Sequence, residues 1–371
     1  MRRCAVVILG LFAAGMIALV LFLVWKVKSI PRHPKKYAAF AVSPQGRDVV
    51  AAIVTPDVAE PSTHRLVVIS LRDRLPALVM PGGGRVRSAV SWSGDGRFVA
   101  FALWNGIPSR FEFRMVRVSD GATWTSEGIG APDKANPCPN VNGTSVYYRH
   151  LAETNEIWRL DWASRRTSRV TASAARPFLA DRILDDGRIV AWRAPPPGTT
   201  RQADRELCVV SPSGSVKGYD VWSRTKYAVC IAPDGRHVAA LCWPEHLPSG
   251  DVLEVWVVDV AGGEPARLVS TGRYASHTLS WGPDGETLLV GDDISPGYPP
   301  LLRLNIQTGL IDAIVADTGE PVVGDCAQWA ASPPGIVFAD ARGLCFFDDR
   351  DRHVRVLCDY YGSVPPAEGD P

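Results

Sequence analysis

The chain has 371 residues, 46% apolar and 21% charged, with 33 Gly and 30 Pro, which gives apolar material for a large core and the turn residues of a protein made of short strands. Its charges are unevenly placed: seven of the 40 basic residues fall within residues 1–36, leaving 33 basic against 39 acidic beyond them. A body near −6 is not a nucleic-acid-binding surface, and no nucleic-acid partner is expected.

Residues 1–3 form a short tail, and Cys4 to Trp25 then gives 22 consecutive residues without a charge. As a helix this run is long enough to cross the hydrocarbon core of a bilayer. A cleaved signal peptide would have a shorter apolar run ending in small residues, whereas this one ends Leu-Phe-Leu-Val-Trp before Lys26. The reading is an uncleaved single-pass anchor over residues 4–25 and a basic juxtamembrane linker over residues 26–37, able to meet anionic headgroups through Lys26, Lys28, Arg32, Lys35 and Lys36. Counted literally, these charges hold the following domain in the cytoplasm. A short N-terminal anchor ahead of a large β domain is nevertheless the usual design for export, and an extracytoplasmic domain is expected.

From residue 38 to 358 no long amphipathic helix appears. Instead an apolar strand runs into a Gly turn and a second apolar strand seven times, with the glycines at Gly46, Gly96, Gly143, Gly187, Gly235, Gly285 and Gly335, a period close to fifty. The best copies read AVSWSGDGRFVAFAL (Ala89 to Leu103), YAVCIAPDGRHVAALCW (Tyr227 to Trp243) and HTLSWGPDGETLLVGDD (His277 to Asp293). Pro and Asp pre-set such a turn and Gly supplies its φ > 0 position, so each string is a tight β-hairpin. About twenty residues after most turns comes a third strand ending on a small or acidic residue, among them EIWRLD (Glu156 to Asp161), EVWVVD (Glu254 to Asp259) and LCFFD (Leu344 to Asp348). A shorter fourth strand follows, as in PALVM, ARLVS and VRVLC. Four strands per fifty-residue period is one blade of a β-propeller. The expected fold is all-β: seven four-stranded blades over residues 38–358, a C-terminal tail over 359–371, and one transmembrane helix ahead of them.

The combination W-S-P-D-G, apolar strand, I-Y-V-V-D-like strand, Gly turn and R-L-T-like strand resembles the TolB-type, WD-repeat-like propeller repeat across residues 38–358. The resemblance implies a periplasmic-type module. It also implies six blades more commonly than seven, so the Pro333-Pro334-Gly335 unit is where the count would fall to six. Some related propellers carry a prolyl-oligopeptidase-type catalytic domain after the blades. Here only thirteen residues follow residue 358 and there is no G-x-S-x-G.

Other catalytic signatures are equally missing: the sequence has no H-E-x-x-H, no G-x-x-x-x-G-K-[ST] and no dinucleotide loop. Its seven histidines are scattered singly, without a second His or a Cys at ligand spacing. Asp292 and Asp293 read as a solvated loop pair, short of the oxygens a cation needs, and Asn142-Gly143-Thr144 coincides with a repeat turn. Seven cysteines lie beyond the anchor with no C-x-x-C. Turn register sets Cys230 opposite Ala239 rather than Cys242, so most read as buried thiols. No cofactor and no metal are expected. The innermost strands, read as FAVS, AVSW, CPNV, ILDD, VCIA, LSWG and QWAA, hold carboxylates only at Asp185 and Asp186, which disfavours a channel enzyme of lactonase-like or glycosidase-like type, the second functional reading.

Trp92 and Trp281 each stand four residues before a turn Gly, and Trp158 and Trp256 each lie in a third strand. Equivalent positions in different blades predict packing between blades. Trp104, Trp192 and Trp243 come instead where the second strand gives way to a long connection. In a propeller these connections, with those between blades, surround one mouth of the channel. They carry Arg110, Arg193, His246 and Tyr298 with the three tryptophans, the mixture suited to a protein or peptide partner. The expected function is a noncatalytic, membrane-anchored binding or scaffolding module that uses this face.

Overall fold

The computed structural model describes residues 37–359, apart from 55–63, 73–75, 81–84, 87–89, 105–109, 130–137, 141, 151–155, 172–177, 185, 196–204, 224–227, 244–251, 263–264, 293–299 and 341. The expected anchor and basic linker lie outside the described residues, except Tyr37, which opens the first strand. Among the described residues no helix is long and apolar enough to cross a membrane.

Seven antiparallel sheets follow one another along the chain, over residues 37–80, 85–129, 138–169, 178–223, 229–272, 274–313 and 325–359. We number them blades 1 to 7. Within each blade the strands pair in sequence order, so a blade is four consecutive strands joined by hairpins. Blade 2 departs only in its innermost strand, split into Arg85–Val86 and Ser91–Trp92, both paired with Phe98–Trp104.

The middle strands read as unbroken apolar runs because both of their faces are covered. In the second strand of blade 1, Val49 and Ala51 pack toward blade 7 while Val50 and Ala52 pack toward blade 2, and all four are fully buried. The same division holds around the ring. Seven apolar clusters each join two neighbouring blades, and one of them joins blade 7 to blade 1. The core is thus a circle of inter-blade seams, which is what places Trp92 between blades 1 and 2 and Trp281 between blades 5 and 6. Trp92 also donates its indole N–H to the Ala41 carbonyl across the seam at 2.9 Å.

The ring closes between whole blades. The first strand, Tyr37–Val42, pairs with its own second strand and not with the outer edge of blade 7. Phe40, Val49 and Ile69 of blade 1 meet Ala330, Val337 and Phe346 of blade 7 in one apolar cluster. Polar contacts fasten the same seam, with Ser332 donating its backbone N–H to the Gly46 carbonyl at 3.1 Å.

Six of the seven repeat turns share one geometry. Gly46, Gly96, Gly143, Gly187, Gly235 and Gly285 all have φ between 63° and 83°, the left-handed region that glycine enters freely. Each donates its N–H to the carbonyl three residues back, at 2.7–3.1 Å. Where an acid precedes the glycine it closes the loop: Oδ1 of Asp234 accepts from the backbone N–H of Arg236 and His237 at 2.8 and 3.0 Å, and Asp284 does the same for Glu286 and Thr287. This is the Asx logic of a pre-set turn.

The seventh turn is a correction to the sequence reading. Ala331 stands opposite Pro334, so the link is the two residues Ser332 and Pro333, joined by a cis peptide bond, and Gly335 already lies in the second strand. Glycine is required there for a different reason: a Cβ would sit 2.2 Å from the Phe347 carbonyl and 2.5 Å from the Phe346 ring. The blade survives although its turn chemistry differs.

Candidate interaction face

Strand order fixes two unlike ends. The links from first to second strand and from third to fourth leave each blade at one end, which we call the turn face. The links from second to third strand and from blade to blade leave at the other, the connection face. On the turn face the first link is five residues long in blades 1 to 6, as at residues 43–47 and 282–286. On the connection face the second-to-third link has nine residues at 55–63, eleven at 194–204 and ten at 243–252.

The third strands explain the small or acidic residue at their ends, since that residue caps the next turn. Asp161 Oδ1 accepts from the Ser164 N–H at 2.8 Å, Asn305 Oδ1 from Gln307 and Thr308, and Asp259 Oδ1 from Ala261 and Gly262 at 2.9 and 2.7 Å. Asp259 is also held by Arg236, whose Nη2 lies 2.5 Å from Oδ2. Its pKa falls well below the ordinary carboxylate range, first because of that guanidinium and then because the backbone N–H groups outweigh the cost of burial.

The structure disperses the residues predicted for the connection face. Trp192 is fully buried in the seam between blades 4 and 5 and exposes no surface to a partner. It faces inward because strand alternation puts it with Val190 on the blade 5 side. Arg110 is not in a loop: it opens the third strand of blade 2, Arg110–Arg117, opposite Ile129. Trp104 ends the second strand, opposite Arg85. His246 and Tyr298 lie outside the described residues.

Arg193 and Trp243 hold positions at the connection face, and both are partly committed. Arg193 ends its strand opposite Glu206, and Nη2 lies 2.6 Å from the Glu206 carboxylate with both side chains largely shielded. Gly218 makes room for this pair, because a Cβ there would lie 1.9 Å from Glu206 Oε1. Trp243 is half-buried against the cluster between blades 5 and 6, and its backbone N–H donates to Oγ of buried Ser223 at 2.9 Å.

Three carboxylates at this end escape the sequence reading: Glu206, Glu254 and Asp340. Glu254 stands opposite Cys242, is 5% exposed, and accepts the Trp256 indole N–H at 2.7 Å. Asp340 accepts from the Arg342 backbone at 2.7 Å and from its guanidinium at 2.6 Å, and Cys345 Sγ lies 3.3 Å away. Burial pushes the thiols of Cys242 and Cys345 up, leaving neither poised as a nucleophile. The only sequence signal for Glu254 is a charge at the head of an otherwise apolar strand.

Of the two acids read into the channel, Asp185 lies outside the described residues and Asp186 is placed elsewhere. The innermost strand of blade 4 is Phe178–Ile183, earlier than the ILDD reading. Asp186 belongs to the turn, where Oδ1 accepts the Arg188 N–H at 3.0 Å and Oδ2 pairs with the Arg188 guanidinium at 2.6 Å. Among the described residues no three His, Cys, Asp or Glu side chains come together as metal ligands. Of the described cysteines, Cys208, Cys242, Cys345 and Cys358 are buried, Cys230 is half-buried and Cys326 is exposed.

By sequence, no protein-family model and no curated protein matches the chain. By structure it is a seven-bladed β-propeller, and the similar folds include propellers of several kinds. TolB from Acinetobacter baumannii superposes with a TM-score of 0.52 at 16% identity, over 78% of this chain and 67% of that one. The propeller domain of Cps50 (Swd1) from Myceliophteria thermophila gives 0.59 at 11% identity, over 86% and 96%. A puromycin-hydrolyzing peptidase from Mycobacterium tuberculosis gives 0.54 at 16%, over 73% of this chain but only 46% of the peptidase. At these identities the likeness is one of fold.

Proposed function

We propose that this chain is a membrane-anchored propeller that binds a protein or peptide through its connection face. The observation that carries the reading is the asymmetry of the two ends. In blades 1 to 6 the first turns are five residues long and closed by Asp, Asn or Ser side chains, which makes that end a largely self-satisfied surface. Long connections fall at the other end, where Trp243 and the Arg193–Glu206 pair stand at the roots of the two longest second-to-third links. Loops grafted on a rigid scaffold are where recognition is usually placed. With Trp192 in the core, the contact set reduces to Trp104, Arg110, Arg193, Trp243, His246 and Tyr298.

The propeller is extracytoplasmic in this proposal, with residues 4–25 as the anchor. A C-terminal reporter active only outside the cytoplasm tests the orientation, and activity of a cytoplasm-only reporter would reverse it. The binding face is tested by crosslinking in the native membrane followed by mass spectrometry, comparing the natural chain with one whose residues 244–251 are replaced by Gly and Ser at equal length. Loss of a captured protein, with the melting temperature unchanged, supports the face. Capture of the same protein by both chains overturns it.

A further inference from the structure

The turn face is self-capped almost everywhere, and the seam between blades 7 and 1 breaks that rule. A cleft of about 320 Å³ opens there, walled by Arg72 from the third-to-fourth link of blade 1, Ser332 from the two-residue turn of blade 7, Asp348 at the end of the third strand of blade 7, Arg350 in the turn that follows and Arg355 in the fourth strand. Three separate stretches of chain, from the two ends of the propeller sequence, converge on one space.

The charges in the cleft divide into those already answered and those left over. Asp348 is occupied: its Oδ1 accepts the Arg350 backbone N–H at 3.0 Å and its Oδ2 takes Arg355 Nη1 at 3.1 Å. Arg355 spends its other nitrogen on Asp351. The guanidinium groups of Arg72 and Arg350 and the hydroxyl of Ser332 have no side-chain partner among the described residues. These are five-donor forks and a hydroxyl, all donors, in a body whose net charge is near −6. Solvated surface arginines are ordinary, but two that face one cleft with a hydroxyl between the segments that carry them make a composite donor set.

We propose that this cleft binds a phosphate monoester group. Two uncommitted guanidinium charges call for a dianion, which a carboxylate is not, and the fork geometry of Arg matches phosphate oxygens in pairs. The volume exceeds what a phosphate fills, leaving room for the group that carries it. Because the walls come from blades 1 and 7, the site exists only in the closed ring, and a bound ligand stabilises that closure. This site is on the face opposite the one proposed for protein recognition and stands independently of it.

The test titrates the full-length chain in non-ionic detergent with inorganic phosphate, with O-phosphoserine and with acetate at constant ionic strength, read by calorimetry and by thermal midpoint. Phosphate and phosphoserine are expected to bind and raise the midpoint, and acetate to do neither. Tighter binding of phosphoserine supports use of the remaining volume by the ester, and equal binding supports recognition of the phosphate group alone. Arg72→Gln and Arg350→Gln are each expected to weaken binding about tenfold, the size of one charge-assisted hydrogen bond. The double variant should melt with the natural chain when no anion is present, since both side chains are exposed. Undiminished phosphate binding by that variant, no binding by the natural chain, or equal response to acetate would overturn the assignment.

Discussion

Gln328, in the innermost strand of blade 7, takes the backbone N–H of Val42 in blade 1 on its side-chain oxygen at 2.9 Å, across 286 residues of sequence. Its amide nitrogen donates to the Phe40 carbonyl at 3.3 Å. One side chain therefore extends the sheet hydrogen bonding of the first strand toward the last blade, at a seam where no strand is shared among the described residues. The Val42 amide lies on the unpaired inner edge of blade 1, and without an acceptor it would be left part-buried and unsatisfied.

Gln328→Ala should accordingly destabilise the propeller by about 1–2 kcal/mol, the cost of leaving such a group without its partner. Gln307→Ala, at an exposed turn position, is the control and should stay within about 0.5 kcal/mol. Urea midpoints of the two variants decide the matter. Equal midpoints would show that the Gln328 bonds contribute nothing to closing the ring.

The turn glycines separate into two kinds by mutation. Gly285 has φ of 71° with nothing within 4 Å of the position a methyl would take, so Gly285→Ala carries only the conformational cost, about 1 kcal/mol. Gly335→Ala should cost more, about 2–3 kcal/mol, because the methyl meets the Phe347 carbonyl and the Phe346 ring. Thermal unfolding of both variants gives the order, and a milder effect at Gly335 would contradict the packing described.

These two glycines also mark how far the fold is legible in the sequence. Blade count, strand order and the buried tryptophans Trp92 and Trp281 follow from period and alternation, which are local and repeated. The seventh turn is not legible in this way, because Gly335 looks the same in sequence whether it serves φ or close packing. Trp192 is read to the wrong side because position along a strand gives its distance from a loop, while only register and neighbouring blades give the direction it faces. The Arg193–Glu206 pair joins neighbouring strands through a register that no period encodes.

Trp192 offers a sharp distinction between a core and a contact role. Its indole N–H has no hydrogen-bond partner in the seam, so Trp192→Phe removes an unsatisfied polar group along with part of the ring. That variant should lose less than about 2 kcal/mol, whereas Trp192→Ala leaves a cavity costing about 3–5 kcal/mol. Chemical denaturation measures both. Partner capture by the Phe variant should equal that of the natural chain, since the side chain exposes no surface.

The repeated turn acids set the response to pH. Burial alone would raise the pKa of Asp95, Asp234 and Asp284, yet each is lowered below its ordinary value because hydrogen bonds to the carboxylate outweigh it: Ser93 and Arg97 for Asp95, His237 and Arg236 for Asp234, Thr287 and Glu286 for Asp284. Asp259 moves the same way through Arg236. A carboxyl whose folded pKa lies below its unfolded one binds protons more readily when unfolded. Its stabilising contribution is complete above the unfolded pKa of about 4 and is lost as pH falls through the folded value. Urea unfolding followed from about pH 6 down to about pH 2 should therefore show little change from these groups at first and then a steepening loss. Asp234→Asn with Asp284→Asn keeps the oxygen that accepts the turn N–H groups but removes the charge and the second oxygen, which pairs with His237 Nδ1 in one turn and accepts the Thr287 hydroxyl in the other, so the double variant should be less stable at neutral pH and should lose less on acidification. An acid slope equal to that of the natural chain would mean that the turn caps hold their geometry without carrying the pH dependence, which would then rest on Asp259 and its Arg236 partner, where Asp259→Asn supplies the corresponding measurement.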